Sequence, residues 1–413
     1  MDADLIPTSW EKRGNIITVV GVGGGGNNAV SYMYSLGLKD VDFVVCNTDV
    51  QALQSSPVPT KLQIGPVLTK GLGAGTDYLI GRKAAEESID EIAKFFEGDT
   101  QMVFVTCGMG GGTGTGAAPL VAKMAKEMGK LTVAVVTVPF RDEGKEALYR
   151  AVEGIKELSK HVDSILVIDN QKLYQLYGKM GIKKAFSKAD EVLATAVKSI
   201  AEIITSSGYI NVDFADVKKV MQNSGVAIMG IGEAEGEDRA VKAVEMALNS
   251  PLLNDLKLDS VKNALINITA SSDDEIGFQT EELSQIMDFT SQYTGATINF
   301  KRGIVFDEEM GGKISVTIIA TGFEMWQLPV IDQSEINRGN RIEVKYSQDL
   351  FKSRRKGRPV APDNGKLLNK QRVTGIPALI VDDVRLIKEL EDEPAYVRRE
   401  RMLNIKETPA NEA

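Results

Sequence analysis

Between residues 16 and 320, short apolar runs rich in Val and Ile alternate with stretches whose apolar residues recur every three or four positions. The first pattern predicts buried strands, and the second predicts amphipathic helices. The predicted strands are 16–20, 43–46, 102–106, 131–138, 164–169, 225–232, 264–270, 297–300 and 313–320. The predicted helices are 29–36, 120–126, 183–205, 217–222, 237–249 and 280–290. This alternation indicates an α/β fold with a Rossmann-like parallel sheet, whose loops gather at the carboxyl ends of the strands.

The helical pattern over 183–205 is apolar around much of its circumference, which predicts a long central helix. We assign residues 183–207 to this helix. It separates an N-terminal domain, residues 1–182, from a second and smaller α/β domain, residues 208–325.

The remaining residues have a different composition. Residues 326–390 are polar and charged, with many Asn, Lys, Arg, Pro and Gly, and predict a disordered linker. The tail, residues 391–413, carries an aromatic ring beside two cations, which is typical of a partner-binding peptide. The residues of this peptide are Pro394, Ala395, Tyr396, Val397, Arg398 and Arg399.

The glycine-rich stretch 108–116 joins a predicted strand to a predicted helix, and Pro119 fits the first turn of that helix. Six of its nine residues are glycine, so few Cβ atoms keep an anion from the backbone N–H groups. The N-terminus of a helix also favours negative charge. Thr113 and Thr115 add hydroxyl groups. The stretch is too short to suit a flexible linker, and we interpret it as a phosphate-binding loop.

A second glycine loop, residues 21–28, also joins a strand to a helix. It matches G-x-G-x-x-G, and Asp49 follows about twenty residues later, so a dinucleotide-binding domain is an open alternative. A third glycine loop covers residues 71–75. Because parallel strands bring such loops to one crevice, the set suits a nucleoside triphosphate held from two sides. No Walker loop is present, since no Gly-Lys pair precedes Ser or Thr.

The composition of the chain argues against several classes of protein and of metal site. The net charge of −9 argues against nucleic-acid binding, because phosphate backbones attract basic surfaces. The chain begins without a basic, apolar leader, and no apolar run reaches the roughly 18 residues of a spanning helix. Cys46 and Cys107 build no disulfide framework, and His161 is the only histidine, which excludes most His-ligated metal sites. We expect a cytoplasmic protein without membrane insertion or a protein-built metal site.

Asp213 and Asp216 stand at the start of a predicted helix. On the residues alone, Asp213 is an N-cap and Asp216 an acidic residue of the first turn. On this basis both roles are structural.

The motifs occur in a characteristic order: GVGGGGNNA, NTD, GLGAG, GMGGGTGTGAAP, PF with EGK, DN, AF with AD, NVDFADV and NSGVAIMG. This series, over roughly residues 14–323, closely resembles the tubulin/FtsZ family. The resemblance implies a GTPase that assembles head-to-tail with itself and forms a ring at the midcell division site. Mg²⁺ is implied with GTP or GDP and would be held mainly by phosphates. The tail peptide would then bind a membrane-anchor or division-regulator protein.

Matching the family motifs residue by residue assigns roles to this chain. Glu143 is expected to contact the ribose, Phe186 to stack on guanine, and Asp190 to accept hydrogen bonds from guanine N1 and N2. The expected nucleotide-binding residues are Gly24, Gly25, Gly26, Asn27, Asn28, Ala74, Gly75, Gly112, Thr113, Gly114, Glu143, Asn170, Phe186 and Asp190. Asp213, Asp216 and Asn211 are expected to complete the site of the next subunit and to act in hydrolysis.

Two positions depart from the family pattern. Ala147 stands where many relatives carry Arg, so one cationic nucleotide contact is missing, and Arg141 or Arg150 could replace it. Asn27 stands where relatives often have Gly, which could reshape the first loop. Because of Ala147, a weakly hydrolysing GTP-binding scaffold is one alternative to a polymerising GTPase. The glycine motif at residues 21–26 leaves an NAD-dependent oxidoreductase as the other.

Overall fold

The computed structural model describes residues 14–177, 181–205, 213–250, 261, 263–273, 276–294, 299–323 and 328. Asn211, the tail peptide and the predicted linker apart from Leu328 lie outside the described residues. The predicted boundaries at 182/183 and 207/208 stay predictions.

A single sheet runs through the part of the chain that the structure describes. Its ten strands are β1 (Ile17–Val22), β2 (Val41–Asn47), β3 (Thr60–Gln63), β4 (Met102–Gly108), β5 (Leu131–Val138), β6 (Ser164–Asp169), β7 (Gly225–Glu235), β8 (Asn263–Ala270), β9 (Asn299–Phe306) and β10 (Lys313–Phe323). Their order is β3-β2-β1-β4-β5-β6-β7-β10-β8-β9. The strands from β3 to β7 pair in parallel, whereas β10 is antiparallel to both of its neighbours. The predicted α/β fold is confirmed.

Helices cover both faces of the sheet. The described α-helices are α1 (Gly23–Ser35), α2 (Val50–Ser55), α3 (Pro66–Thr69), α4 (Tyr78–Glu87), α5 (Ile89–Lys94), α6 (Thr113–Glu127), α7 (Lys145–Ser159), α8 (Asn170–Tyr177), α9 (Ile182–Thr205), α10 (Phe214–Met221), α11 (Arg239–Leu248) and α12 (Thr280–Thr294). α4 to α7 share a core with one face, whereas α1, α9 and α10 pack on the other. α11 and α12 cover β8 to β10. None of the described helices combines the length and apolarity needed to cross a membrane.

Helices α1 and α6 begin earlier than the sequence pattern predicts. Their predicted first residues were 29 and 120, but α1 begins at Gly23 and α6 at Thr113. Pro119 therefore lies inside α6 rather than in its first turn, and it cannot donate to the carbonyl of Thr115. The predictions began too late because Gly is a poor helix former, so both patterns became visible only after the glycines.

Strand β7 joins the predicted domains into one continuous sheet. Its first residues pair with β6, from Ser164–Gly225 to Leu166–Ala227, and it then pairs with β10 along its length. Helix α9 lies under this junction, where its side chains share a core with α1 and with both parts of the sheet. The smaller C-terminal part thus has its own helices but not its own sheet.

The two cysteines are packed inside the sheet, and the histidine contacts a glutamate on α7. Cys46 and Cys107 are unbonded and buried, and both lie beside Val22 in neighbouring strands. Burial raises the pKa of each thiol to about 12, so neither is a reactive thiolate. His161 lies after α7, with its Nε2 atom 3.6 Å from the Glu157 carboxylate.

Candidate functional site

The three glycine loops meet at the carboxyl edge of the parallel strands. A Cβ atom on Gly23 would lie 2.7 Å from the Gly114 nitrogen, and one on Gly25 would lie 3.0 Å from Gly108. A Cβ atom on Gly112 would lie 2.5 Å from the Gly75 carbonyl oxygen. The backbones are therefore too close for larger residues. The predicted convergence of these loops is confirmed.

Two helices point uncapped N-termini into this crevice. Neither Val22 before α1 nor Gly112 before α6 makes a side-chain capping hydrogen bond. Asp49, Asp77 and Asp213, by contrast, cap α2, α4 and α10 with their carboxylates. Backbone N–H groups at an uncapped N-terminus can donate to a bound anion, and the helix dipole favours negative charge there. The crevice therefore suits a polyphosphate.

Buried side chains hold the loops in place. The Thr113 hydroxyl lies 2.7 Å from that of Thr48, and the Thr115 hydroxyl accepts from the Gly110 N–H at 2.9 Å. With its amide nitrogen and oxygen assigned so that both find partners, Asn27 donates to the carbonyls of Gly21 and Gly23 and accepts from the Asn47 amide at 3.2 Å. The extra side chain at Asn27 therefore fills space beneath the first loop and braces it.

Exposure separates the predicted nucleotide-binding residues into two groups. The exposed residues are Gly24, Gly25, Asn28, Gly75 and Glu143. The buried residues are Gly26, Asn27, Ala74, Gly112, Thr113, Gly114 and Asn170. The exposed group can contact a ligand directly. Most of the buried residues support the loops. The sequence alone does not distinguish these two groups of residues.

Asn170 carries an unsatisfied acceptor at the same edge of the sheet. It follows β6, is only 7% exposed, and its Oδ1 atom has no hydrogen-bond partner. An orphaned buried acceptor is costly unless a ligand or water satisfies it. Glu143 follows β5, and its carboxylate accepts from the Phe140 N–H at 2.8 Å. Both residues follow neighbouring parallel strands at the carboxyl edge of the sheet, and their nucleotide contacts stay predictions.

Asp190 lies in the first half of α9, which packs against α1. Its partial burial raises the carboxyl pKa to about 6. A desolvated carboxylate is a strong acceptor for paired N–H donors. Phe186 lies one turn earlier on α9, but its side chain is outside the described residues.

Asp213 and Asp216 lie at the opposite edge of the sheet. Asp213 is the N-cap of α10, where its Oδ1 atom accepts from the Asp216 N–H at 2.8 Å. After α10, the Asn223 N–H donates to Asp163, which immediately precedes β6, and β7 then begins beside Ser164. The end of α10 therefore adjoins the amino ends of β6 and β7. Its start lies at the same edge, because Asp216 binds Lys301 near the amino end of β9, and β9 runs in the same direction as β7. A six-residue strand is about 20 Å long, so these carboxylates cannot reach the crevice of their own subunit.

Among the described residues, no three His, Cys, Asp or Glu side chains are grouped closely enough to hold a metal ion. Near the glycine loops, the described residues offer backbone donors and a buried amide. Together these groups suit a nucleoside triphosphate.

Comparisons with known proteins decide the family. Residues 16–178 match the model of the Tubulin/FtsZ family GTPase domain, and residues 225–324 match the FtsZ family C-terminal domain. The "Cell division protein FtsZ" of Porphyromonas gingivalis is 42% identical, over 96% of this chain and 89% of that protein. The chain belongs to the tubulin/FtsZ family. It is a tubulin-like GTPase, as the motif order predicts.

Further similar proteins support the assignment to the tubulin/FtsZ family. The "Cell division protein FtsZ" of Azotobacter vinelandii is 48% identical over 74% of this chain and 77% of that protein. A solved structure, "FtsZ dimer, empty (M. jannaschii)", is 45% identical with a TM-score of 0.71, covering 76% of this chain and 89% of that one. The CetZ2 protein of Haloferax volcanii, 21% identical with a TM-score of 0.67, shares the fold. The assignment favours the GTPase over the dinucleotide-dependent oxidoreductase.

In the tubulin/FtsZ family many members carry Arg at the position of Ala147, so the surroundings of Ala147 show which other arginine is near the phosphate loop. Ala147 is buried, and its carbonyl lies 2.8 Å from the position of a Cβ atom on Gly110. One turn later, the Arg150 Nε–H donates to the Gly110 carbonyl at 2.8 Å. Of the two arginines that could compensate, Arg150 is therefore bound to the phosphate-loop backbone. Arg141 lies farther along the edge, with its backbone N–H on the Gln171 side chain.

Three contacts of this tubulin/FtsZ-type site were not foreseen: Thr48 with Thr113, Arg150 with Gly110, and a lysine bound to Asp216. Each joins residues that are at least 40 positions apart. Spacing along the chain carries no signal for such pairs. Only the order of the strands brings them together.

Proposed function

We propose that this chain is a self-assembling GTPase of cell division. Its subunits join head-to-tail, and GTP lies in the crevice between two of them. Hydrolysis begins when a neighbour presents Asp213, Asp216 and Asn211 to this nucleotide. The observation that carries the proposal is the separation of the two halves of the site. The crevice and the Asp pair occupy opposite edges of one sheet, so only a second subunit can combine them.

In the proposed complex, N–H groups of the first turns of α1 and α6 bind the phosphates, and Arg150 adds positive charge near Gly110. Asp190 and Phe186 would bind guanine, and Glu143 the ribose. The carboxylates of the neighbour orient water toward the γ-phosphate. Mg²⁺ would supply charge neutralisation at the phosphates, which would also be its main ligands.

Such a contact is heterologous, because different surfaces of two identical subunits meet. Contacts of this type that do not close produce open filaments. We propose that the filaments form the cytokinetic ring at midcell, in the cytoplasm. Pro394 to Arg399 would bind a membrane-anchor or division-regulator protein. The domain limits 1–182, 183–207, 208–325, 326–390 and 391–413 are part of this proposal.

The test is phosphate release from GTP and Mg²⁺ across a series of protein concentrations. We expect specific activity near zero at low concentration and a rise above a threshold, because the site is completed in trans. A flat specific activity would show a self-contained enzyme and would contradict the proposal. Sedimenting filaments without phosphate release would instead identify a GTP-binding scaffold.

Exposed apolar side chains beside the third glycine loop predict an assembly surface. Leu72 is 86% exposed, and Val67, Leu68 and Leu79 nearby are also exposed. We expect Leu72→Asp to raise the threshold for GTP-dependent sedimentation about tenfold, because a buried charge disfavours the contact. Leu72→Met keeps the apolar surface and should assemble normally. Equal thresholds for the Asp variant and the wild type would exclude this surface from the filament contact.

The raised pKa of Asp190 predicts a pH dependence of GTP affinity. Guanine N–H donors bind the carboxylate, so affinity should be nearly constant above about pH 7 and fall as the pH drops through 6. A carboxyl with an ordinary pKa would keep its affinity to below pH 5. The measurement is titration of a fluorescent GTP analogue from pH 5 to 7.5. Asp190→Asn cannot titrate at this position, so its profile isolates the contribution of the phosphates. Parallel profiles for the two proteins would refute this role of Asp190.

A further inference from the structure

Asp216 is bound by a lysine from a distant part of the chain. The Nζ atom of Lys301, on β9, lies 2.6 Å from Asp216 Oδ1. Each side chain is 37% exposed, so both remain accessible to a second molecule. Lys301 lies outside every family motif of the chain.

The strand geometry explains how Lys301 reaches α10. Alternate residues of a strand share a face, so Lys301 and Gly303 point to the same side of β9. Gly303 packs against Ile203 near the end of α9, because a Cβ atom on Gly303 would lie 3.1 Å from that side chain. Lys301 therefore stands on the side of the sheet that carries α9 and α10, near the amino end of its strand.

The two carboxylates at this edge are held differently. Asp213 is fixed by the backbone, since its side chain caps α10 at 2.8 Å from the Asp216 nitrogen. Asp216 is fixed by Lys301. Catalytic groups must be held in place to be effective, and this pairing supplies that support for Asp216.

The charge of Lys301 matters for the approach to a nucleotide. Two carboxylates moving toward a triphosphate meet strong like-charge repulsion, which costs several kcal/mol where charges are closely juxtaposed. With Lys301 in the group, the charge of the three side chains is −1 instead of −2. An ammonium group has three donors, so Lys301 can keep Asp216 and still donate to a phosphate oxygen.

We propose that Lys301 is a positioning residue that enters the neighbouring subunit's nucleotide site together with Asp216. There it orients the carboxylate and offsets its repulsion from the triphosphate of GTP. This inference rests on the proposed assembly of the site from two subunits. A positive group supplied in trans during phosphate transfer has precedent in arginine fingers.

A second ion pair in the same half of the chain provides a matched control. Lys313 Nζ on β10 lies 3.0 Å from Glu233, and their side chains are 47% and 51% exposed. Exposed pairs of this kind contribute little to stability. Loss of either lysine should therefore leave the fold intact, and a functional effect would be confined to Lys301.

The experiment compares Lys301→Met, Lys301→Arg and Lys313→Met with the wild type. Phosphate release and sedimentation are measured across protein concentration, and melting temperatures are recorded. We expect Lys301→Met to raise the assembly threshold and to lower turnover at saturating protein about tenfold. The affinity of dilute, unassembled subunits for a GTP analogue should not change, because Lys301 is remote from their own crevice. Lys301→Arg should restore most activity, and Lys313→Met should match the wild type.

Several results would overturn the inference. Normal turnover of Lys301→Met above a normal threshold would remove Lys301 from the site. Equal impairment of the Met and Arg variants would show that charge is not its contribution, and equal impairment of Lys313→Met would indicate a general effect. If Met lowers the melting temperature, Lys301→Gln replaces it in the comparison. If the specific activity of the wild type does not change with protein concentration, the proposed two-subunit site is wrong. That result differs from those above, which concern Lys301 alone.

Discussion

Asp213→Asn should lower GTP turnover at saturating protein by about 10²-fold or more, with little change in stability. Asn is as good an N-cap as Asp, so the hydrogen bond to the Asp216 N–H is kept while the negative charge is lost. Groups that orient or deprotonate water commonly contribute 10² to 10⁴ in rate. The measurement is phosphate release at a protein concentration well above the wild-type threshold.

The substitution separates the two roles that the sequence leaves open for Asp213. If the residue is only a cap, Asp213→Asn hydrolyses GTP normally, and the trans mechanism is wrong. Asp307→Asn is a suitable control, because Asp307 also caps a helical turn, at 3.0 Å from the Glu309 nitrogen, but has no place in the proposed site. Asp213→Ala removes cap and charge together and should also cost about 1 kcal/mol of stability.

Gly24→Ala should weaken GTP binding about 10- to 100-fold without destabilising the protein. No atom lies within 4 Å of the position of a Cβ on Gly24, and its φ is not left-handed, so Ala fits the unliganded fold. Gly24 is in the first turn of α1, where Ala favours the helix. The new methyl group would occupy space that a phosphate needs in order to reach the backbone. Loss of one charged hydrogen bond, about 1.5–3 kcal/mol, gives the expected range.

Gly26→Ala is the informative comparison. Its Cβ atom would collide with the carbonyl oxygen of Thr106 on β4, so this variant should lose both stability and GTP binding. Melting temperatures and titration with a fluorescent GTP analogue distinguish the two cases. Unchanged affinity in a fully folded Gly24→Ala protein would mean that phosphates do not approach the first turn of α1.

The strands that the sequence predicted best are the ones buried on both faces. β1, β4 and β5 are buried along almost their whole length, so each is a continuous apolar run. The sequence pattern predicts neither β3 nor the last six residues of β9. β3 has the polar sequence TKLQ at the sheet edge, and the apolar pattern of β9 is interrupted by Lys301 and Arg302. These segments are strands because they pair with a neighbouring strand, and their own residues show little preference for the strand conformation.

The sequence by itself determined the chemistry of this protein. Glycine loops between strands and helices, carboxylates at a helix start and the order of the motifs identify a nucleotide site and its family. These signals lie within a few neighbouring residues, where backbone preferences and spacing are encoded directly. The sequence also predicted correctly that the glycine loops converge, because parallel strands allow little else.

Only the tertiary structure decided how these parts are used. It distinguishes Gly24, which faces open space, from Gly26, which is needed for packing, although both occur in one run of glycines. It places Arg150 on the phosphate loop and Lys301 on Asp216, across 40 and 85 positions of the chain. It also sets the Asp pair at the edge opposite the crevice. Such relations depend on strand order and close approach of backbones, which no local pattern specifies.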